Sequence, residues 1–378
     1  MDYIKPIGDI FLRAIKMVIA PLIFFTLVSG ITSMTDQAAL GRVGVKAAVA
    51  FLTTTCFAVL FGIAVATVLK PGVGAIISFV SDGTQTQRPH FDLFDFVINI
   101  VPTNALGALA EGNVLQVVFF ALFTGITING MGSSADSLRR FFHTMSKMIL
   151  KMISMIIQFS PYGAFALTAW VVGTQGVDIL YSLSHLVFAI VIAMAMQYAI
   201  FGLLILVFCR MSPMPFYKKS LEYQVIAFST GSSKASLATT MKVCRDSLGV
   251  SESSTSFVLP LGASINMDGF AINLSLTTIF FAQLLGVTLG WHDYMIIVLT
   301  ATLGSIGGAG IPGASLIMLP MVLSSVNLPI EGVAILAGID RILDMLRTTI
   351  NITGDATITL IIDHSEGSLD KDQYFSPK

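Results

Sequence analysis

The stretch "DRILDMLRTTINITGDATITL", residues 340–360, decides how this chain is to be read. Only 11% of the residues are charged, yet Asp340, Arg341, Asp344, Arg347 and Asp355 fall inside one otherwise apolar run. On a helical wheel of about 100° per residue with Asp344 at zero, Asp340 lies near −40°, Arg341 near 60°, Arg347 near −60°, Thr348 near 40°, Asn351 near −20° and Asp355 near 20°. The polar groups therefore share one arc of about 120° on a helix. A charge facing hydrocarbon costs several kcal/mol, so the stripe must face protein interior or a cavity, with its charges partnered. A structural ion pair between Asp344 and Arg347 would not by itself call for Thr348, Asn351 and Asp355 on the same face.

That hydrocarbon surrounds the rest of the chain follows from composition. Hydrophobic residues make up 54% of it, and 27 Phe and 18 Met are spread along its length, the pattern of a polytopic membrane protein. Several apolar stretches exceed the roughly 20 residues that cross a bilayer as a helix, so the class is all-α rather than β-barrel. A net charge of −1 without a basic block argues against nucleic acid as a partner. Cys56, Cys209 and Cys244 lack metal or disulfide spacing. No removable signal peptide is read at the start of the chain.

Spanning segments are expected at about 9–33, 44–69, 137–172 and 178–208, with a broken apolar region at 93–130 and a polar loop at 81–92. Arg42 and Lys46, then Arg139, Arg140, Lys147 and Lys151, then Arg210, Lys218 and Lys219 fall on alternate loops, which places those loops in the cytoplasm. After residue 220 the layout duplicates. Ser/Gly-rich tips "FSTGSSKAS" (228–236) and "SIGGAGIPGAS" (305–315) interrupt apolar segments, and each precedes a longer charged segment, 254–286 and 329–363. Glycine and proline there free backbone groups that lipid cannot satisfy, so the tips belong to re-entrant hairpins. Such pairs point to a transporter's binding site, with helix N-termini facing an anion and unwound carbonyls a cation.

Within the stripe, the Arg347 fork matches a carboxylate and Asp344 can accept an ammonium group, which suits a zwitterion with a further acid group. In "NMDGF" (266–270), Asp268 has no Lys or Arg beside it in its helix, and Gly269 is the expected point of unwinding. Its oxygen ligands, with Asn351 and Asp355, suit a small hard cation such as sodium. Two other classes compete. An intramembrane aspartyl protease could pair Asp268 with Asp344 or Asp355, but Arg347 would keep Asp344 ionised. An ion channel would need a continuous pore instead of occluding tips.

Across nearly its whole length the chain resembles the dicarboxylate/amino acid:cation symporters, the family of the glutamate transporters. The carrying motifs are "STGSSKAS", "LPLGASINMDG" (259–269), "SIGGAGIPGAS", "GIDRILDMLRTTINITGD" (338–355) and "LGRVGVKAAVAFLTTT" (40–55). The resemblance implies a glutamate-transporter-like fold with inverted repeats, a homotrimer in the plasma membrane (in a bacterium, the inner membrane), and elevator transport with sodium as coupling ion and no cofactor. The implied organisation is scaffold and transport helices in 1–70, polar loop and broken scaffold helix in 71–135, two spanning helices in 136–210 and the transport core with a short polar tail in 211–378.

The resemblance also implies that substrate is touched by Ser232, Ser233, Ile311, Asp344, Arg347, Thr348 and Asn351. It implies cation contacts from Gly262, Asn266, Asn351 and Asp355 at one site, from Ser264, Met267, Ser305 and Ile306 at a second, and from Thr54, Thr55, Asn266 and Asp268 at a third. Proton-coupled relatives tend to carry Asn in place of Asp355, which favours sodium. The implied activity is sodium-driven uptake of aspartate or glutamate. The alternatives in the same class are a neutral amino acid or cystine carrier and a proton-coupled C4-dicarboxylate carrier, the last lacking an ammonium for Asp344. Departures from the family pattern stand at Phe270, Lys234, Gly231 and Gly308, and the family's first helix has no counterpart, the chain beginning at what resembles the second.

Overall fold

The computed structural model describes residues 5–32, 42–74, 98, 100–159, 162–163, 165–166, 169, 173, 178–307, 314–330, 333–336 and 339–377. The described residues are helical wherever they are regular. Helix α1 spans Lys5–Thr32 and α2 Arg42–Leu69, followed by α3 (Ala105–Glu111), α4 (Val114–Gly130), α5 (Asp136–Gln158) and α6 (Asp178–Leu204). The second half supplies α7 (Met214–Thr230), α8 (Ser233–Asp246), α9 (Glu252–Ile265), α10 (Asp268–Leu284), α11 (Trp291–Gly307), α12 (Ser315–Ser325), α13 (Val333–Leu336), α14 (Asp340–Ser365) and α15 (Lys371–Phe375).

Among the described residues three helical stretches are long and apolar enough to cross a membrane: Val43–Leu69, Leu183–Cys209 and the broken pair Glu252–Leu284. The first two leave apolar side chains such as Phe57, Leu60, Phe188 and Phe208 exposed, a surface that lipid covers without penalty. The third is mostly enclosed by protein, which is where a break in the backbone ladder is tolerated. Helix α6 ends in a π-helical turn, Ile205–Cys209, closed by Arg210 at a φ of 55°. The polar loop 81–92 lies outside the described residues, and the expected span 137–172 is described as a helix up to Gln158.

Two layers position the site. Helices α4 and α5 both pack on α1, where Phe24 and Phe25 meet Phe120, Phe141 and Phe142. Helices α2, α6, α7, α8, α9 and α10 gather around α14, while α11 and α12 pack on α10. Helix α10 lies along α2 so closely that a Cβ at Gly62 would meet the Ser275 hydroxyl and the Ile272 carbonyl. An ion pair from Lys46 to Glu366 fastens α2 to the end of α14. The tail closes on α7: the buried Lys219 ammonium donates to the carbonyls of Ser247, Gln373 and Tyr374 at 2.8–2.9 Å.

Candidate functional site

The tip "STGSS" forms a helix–turn–helix between α7 and α8. Gly231 takes the left-handed conformation that ends α7, with φ 63°, and Ser232 caps α8, its hydroxyl accepting from the Ala235 N–H. The first N–H groups of a helix have no partner within it, so the Ser233 end of α8 offers donors at the tip. A Cβ at Gly231 would lie 3.0 Å from Arg341 Nη1 and 3.3 Å from Asp344 Oδ2, so the tip rests directly against the start of α14.

There the charges pair among themselves. Arg347, 2% exposed, donates from Nη1 to Asp340 at 3.0 Å and from Nη2 to Asp344 at 2.9 Å, and its guanidinium lies 5.7 Å from the centroid of the Phe270 ring. The Ser315 hydroxyl, at the start of α12, donates to Asp340. The Arg347 fork that the sequence offered to a substrate carboxylate is thus held by two carboxylates of its own helix. Arg341, placed on the buried arc by its angle, is instead exposed. It sits at the arc's edge in the first turn, where it reaches the Thr230 carbonyl at 3.4 Å and Asp344 at 3.9 Å.

Below this layer lies one of oxygens. The break between α9 and α10 falls at Asn266–Met267, and Gly269 is helical, which corrects the expectation that Gly269 unwinds. The reason is packing: a Cβ there would lie 2.8 Å from the Arg347 carbonyl, and the Gly269 N–H donates to Asn351 Oδ1 at 2.9 Å. Asn266 donates to Asp355 at 2.9 Å and accepts from Thr54 at 3.3 Å, while Thr55 donates to Asp268 at 3.1 Å. Asp268 and Asp355 are both fully buried, and neither forms an ion pair with a described Lys or Arg. Asp355 Oδ2 finds no hydrogen-bond partner among the described residues. Gly262 completes the layer, since a Cβ on it would come within 2.8 Å of Asp355 Oδ1.

The structure thus gathers Asn266, Asp268, Thr54, Thr55, Gly262, Asn351 and Asp355, and separately Ser232, Ser233, Asp344 and Arg347, with Thr348 buried on the same helix. The other expected cation group is less joined. The hydroxyls of Ser264 and Ser305 each donate within their own helix, to the carbonyls of Pro260 and Thr302, Ile306 packs against the apolar cluster that includes Ile265, and Met267 meets Asn351 through its sulfur at 3.2 Å. Ile311 and Gly308 lie outside the described residues. Asp340 entered the sequence reading only as a member of the stripe, and Ser315 and Gln197 had no role in it. Only the fold brings α6 and α12 to α14, so no local pattern could have found them.

Broken helices meeting at buried carboxylates that have no ion-pair partner among the described residues, inside a helical membrane protein, are the arrangement of a secondary transporter, with its ion and substrate sites at discontinuous helices. The family model for the sodium:dicarboxylate symporter family matches residues 1–365, and the chain belongs to that family. It is 34% identical over 375 residues to the C4-dicarboxylate transport protein of Bacillus subtilis, covering 97% of this chain and 88% of that one. It is 33% identical over 381 residues to the proton/glutamate-aspartate symporter of Escherichia coli (98% and 87%) and 34% over 382 residues to the proton/sodium-glutamate symport protein of Geobacillus stearothermophilus (98% and 90%). The family is one of membrane symporters, not of enzymes, which removes the protease reading.

Proposed function

We propose that this protein is a sodium-coupled symporter of acidic amino acids in the bacterial inner membrane, a homotrimer that moves its transport core, with the tips around 228–236 and 305–315 as re-entrant hairpins, in elevator fashion. The observation that carries the reading is the pair of fully buried carboxylates, Asp268 and Asp355, with hydroxyl and amide donors but no cationic side chain among the described residues. Donors aimed at a carboxylate favour its ionised form, and a buried ionised carboxylate without a partner costs several kcal/mol. A small hard cation offsets that cost and finds hydroxyl, amide and carboxylate oxygens around it.

Above, the substrate ammonium would displace Arg347 Nη2 from Asp344, and the released guanidinium edge would take the side-chain carboxylate. The α-carboxylate would meet the N–H groups at the start of α8. A second reading, a neutral amino acid carrier, has one observation in its favour: Arg347 keeps Asp340 as a partner at 3.0 Å even when Asp344 is taken. Uptake into liposomes of labelled aspartate, glutamate, serine, cystine and succinate, with sodium and proton gradients imposed separately, tests both. Sodium-driven aspartate or glutamate uptake supports the proposal, and uptake driven by a proton gradient alone overturns it.

A further inference from the structure

Gln197 lies on α6, outside every group the sequence assigned to ion binding, yet it ends in the cation layer. It is 1% exposed, and its Nε2 lies 3.4 Å from Asp268 Oδ2. The other end of the same carboxamide, Oε1, is buried and finds no hydrogen-bond partner among the described residues. Protein interiors rarely leave a buried acceptor unused, and here the N–H2 end of the carboxamide faces Asp268; with a cation seated at that carboxylate the amide has reason to turn and present its oxygen instead, the kind of ligand a hard cation gathers. Among the described residues no cluster of three His, Cys, Asp or Glu side chains could hold a transition metal, so the chemistry on offer is that of neutral oxygens around one acid.

We infer that Gln197 is a further member of the Asp268 cation site, giving its Oε1 to the ion that Thr54, Thr55, Asn266 and Asp268 surround. This rests on the sodium-coupled reading above. It ties α6, which contributes no residue to the expected ligand sets, to the break between α9 and α10. The ion then holds three helical segments together, α2, α6 and the start of α10, the last two of which pack on each other and share the long Gln197–Asp268 hydrogen bond. Loading that site should therefore stiffen the packing of α6 on the core as well as neutralise Asp268.

The test measures sodium binding to purified, substrate-free protein, by the rise in melting temperature and by calorimetry on replacing choline with sodium chloride. Gln197→Met keeps the volume and removes both the oxygen and the N–H donor to Asp268, and should weaken the sodium response about 10- to 100-fold when it is measured against the variant's own melting in choline. Gln197→Glu returns an oxygen and should restore or strengthen the response, which loss of packing alone would not produce. A Met variant with a wild-type sodium response, or a Glu variant that fails as the Met variant does, overturns the inference and leaves sodium coupling standing. A wild type whose melting and calorimetry ignore sodium overturns both together.

Discussion

The sharpest consequence of the site's geometry concerns Asp340. Its carboxylate shares one guanidinium with Asp344, accepting from Arg347 Nη1 at 3.0 Å while Asp344 accepts from Nη2 at 2.9 Å. A zwitterion whose ammonium captures Asp344 leaves the Arg347–Asp340 pair intact, so a neutral amino acid does not strand the buried cation. An acidic one places its second carboxylate on the far edge of the same guanidinium, within reach of Asp340. Two carboxylates sharing an Arg fork sit about 5 Å apart, and at an effective dielectric constant of about 20 their repulsion is about 3 kcal/mol. Asp340→Asn removes that repulsion and leaves an amide oxygen to accept from Arg347 and Ser315. At about 1.4 kcal/mol per tenfold, the ratio of kcat/KM for aspartate over serine should rise about a hundredfold in proteoliposome uptake. The variant keeps its hydrogen-bond geometry, so the rise belongs to charge. If the ratio moves by less than about threefold, or toward serine, Asp340 does not face the substrate side chain and the argument fails.

Three further outcomes follow from the same contacts. Asp355→Asn should weaken sodium-driven uptake without unfolding the protein, because an amide cannot offset a cation's lost hydration as a carboxylate does; sodium titration of uptake checks it, and an unchanged half-saturation sinks it. Gly262→Ala places a Cβ 2.8 Å from Asp355 Oδ1 and 2.9 Å from the buried Phe51 ring, which must turn the carboxylate and shift the ring, so the sodium requirement should rise in uptake normalised to folded protein, and an unchanged requirement sinks it. Lys219→Met strands three carbonyls and frees the tail, at a cost of about 1–3 kcal/mol for an unsatisfied group, read as a melting point lower by a few degrees with transport per folded molecule retained.

Much of this was legible in the sequence because membrane burial leaves strong marks. The stripe from Asp340 to Asp355 could only be tolerated facing inward, and Gly231 in a polar run could only be a break. The carboxylates of Asp268 and Asp355 came together because each was an unexplained charge in an apolar segment. What the sequence hid was pairing. A wheel gives an angle but no neighbour, so Arg341 looked buried although the first turn of α14 leaves it open. An Arg347–Asp344 pair was foreseeable from their spacing, but not that Asp340, seven residues away, takes the other nitrogen of the fork. Gly269 was misread for the same reason: glycine marks both a loosened backbone and a close approach, and only the Arg347 carbonyl lying against it decides for the second. Gln197 and Ser315 come from helices whose local patterns carry no charge at those positions.

The two layers meet at Asn351, and its bonds explain how ion and substrate could answer to each other without touching. Its Oδ1 accepts from the Gly269 N–H at 2.9 Å, its Nδ2 reaches the Met267 sulfur at 3.2 Å, and its carbonyl accepts from Asn266 at 3.4 Å. Asn266 in turn holds Asp355 and accepts from Thr54, while Arg347 stands one turn before Asn351 on α14. In the proposed cycle an ion that draws Asn266 toward itself shifts the break at Asn266–Met267, and with it the amide that borders the substrate layer. Among the described residues the buried carboxyl groups, Asp268, Asp340, Asp344, Asp355 and Asp363, outnumber the buried cationic side chains, Arg347 and Lys219, so each positive charge that enters lowers the cost of admitting a negative one. Linkage makes that exchange symmetrical. Whatever factor sodium adds to substrate affinity, substrate must add to sodium affinity, and a core with this charge surplus gains most when both arrive together.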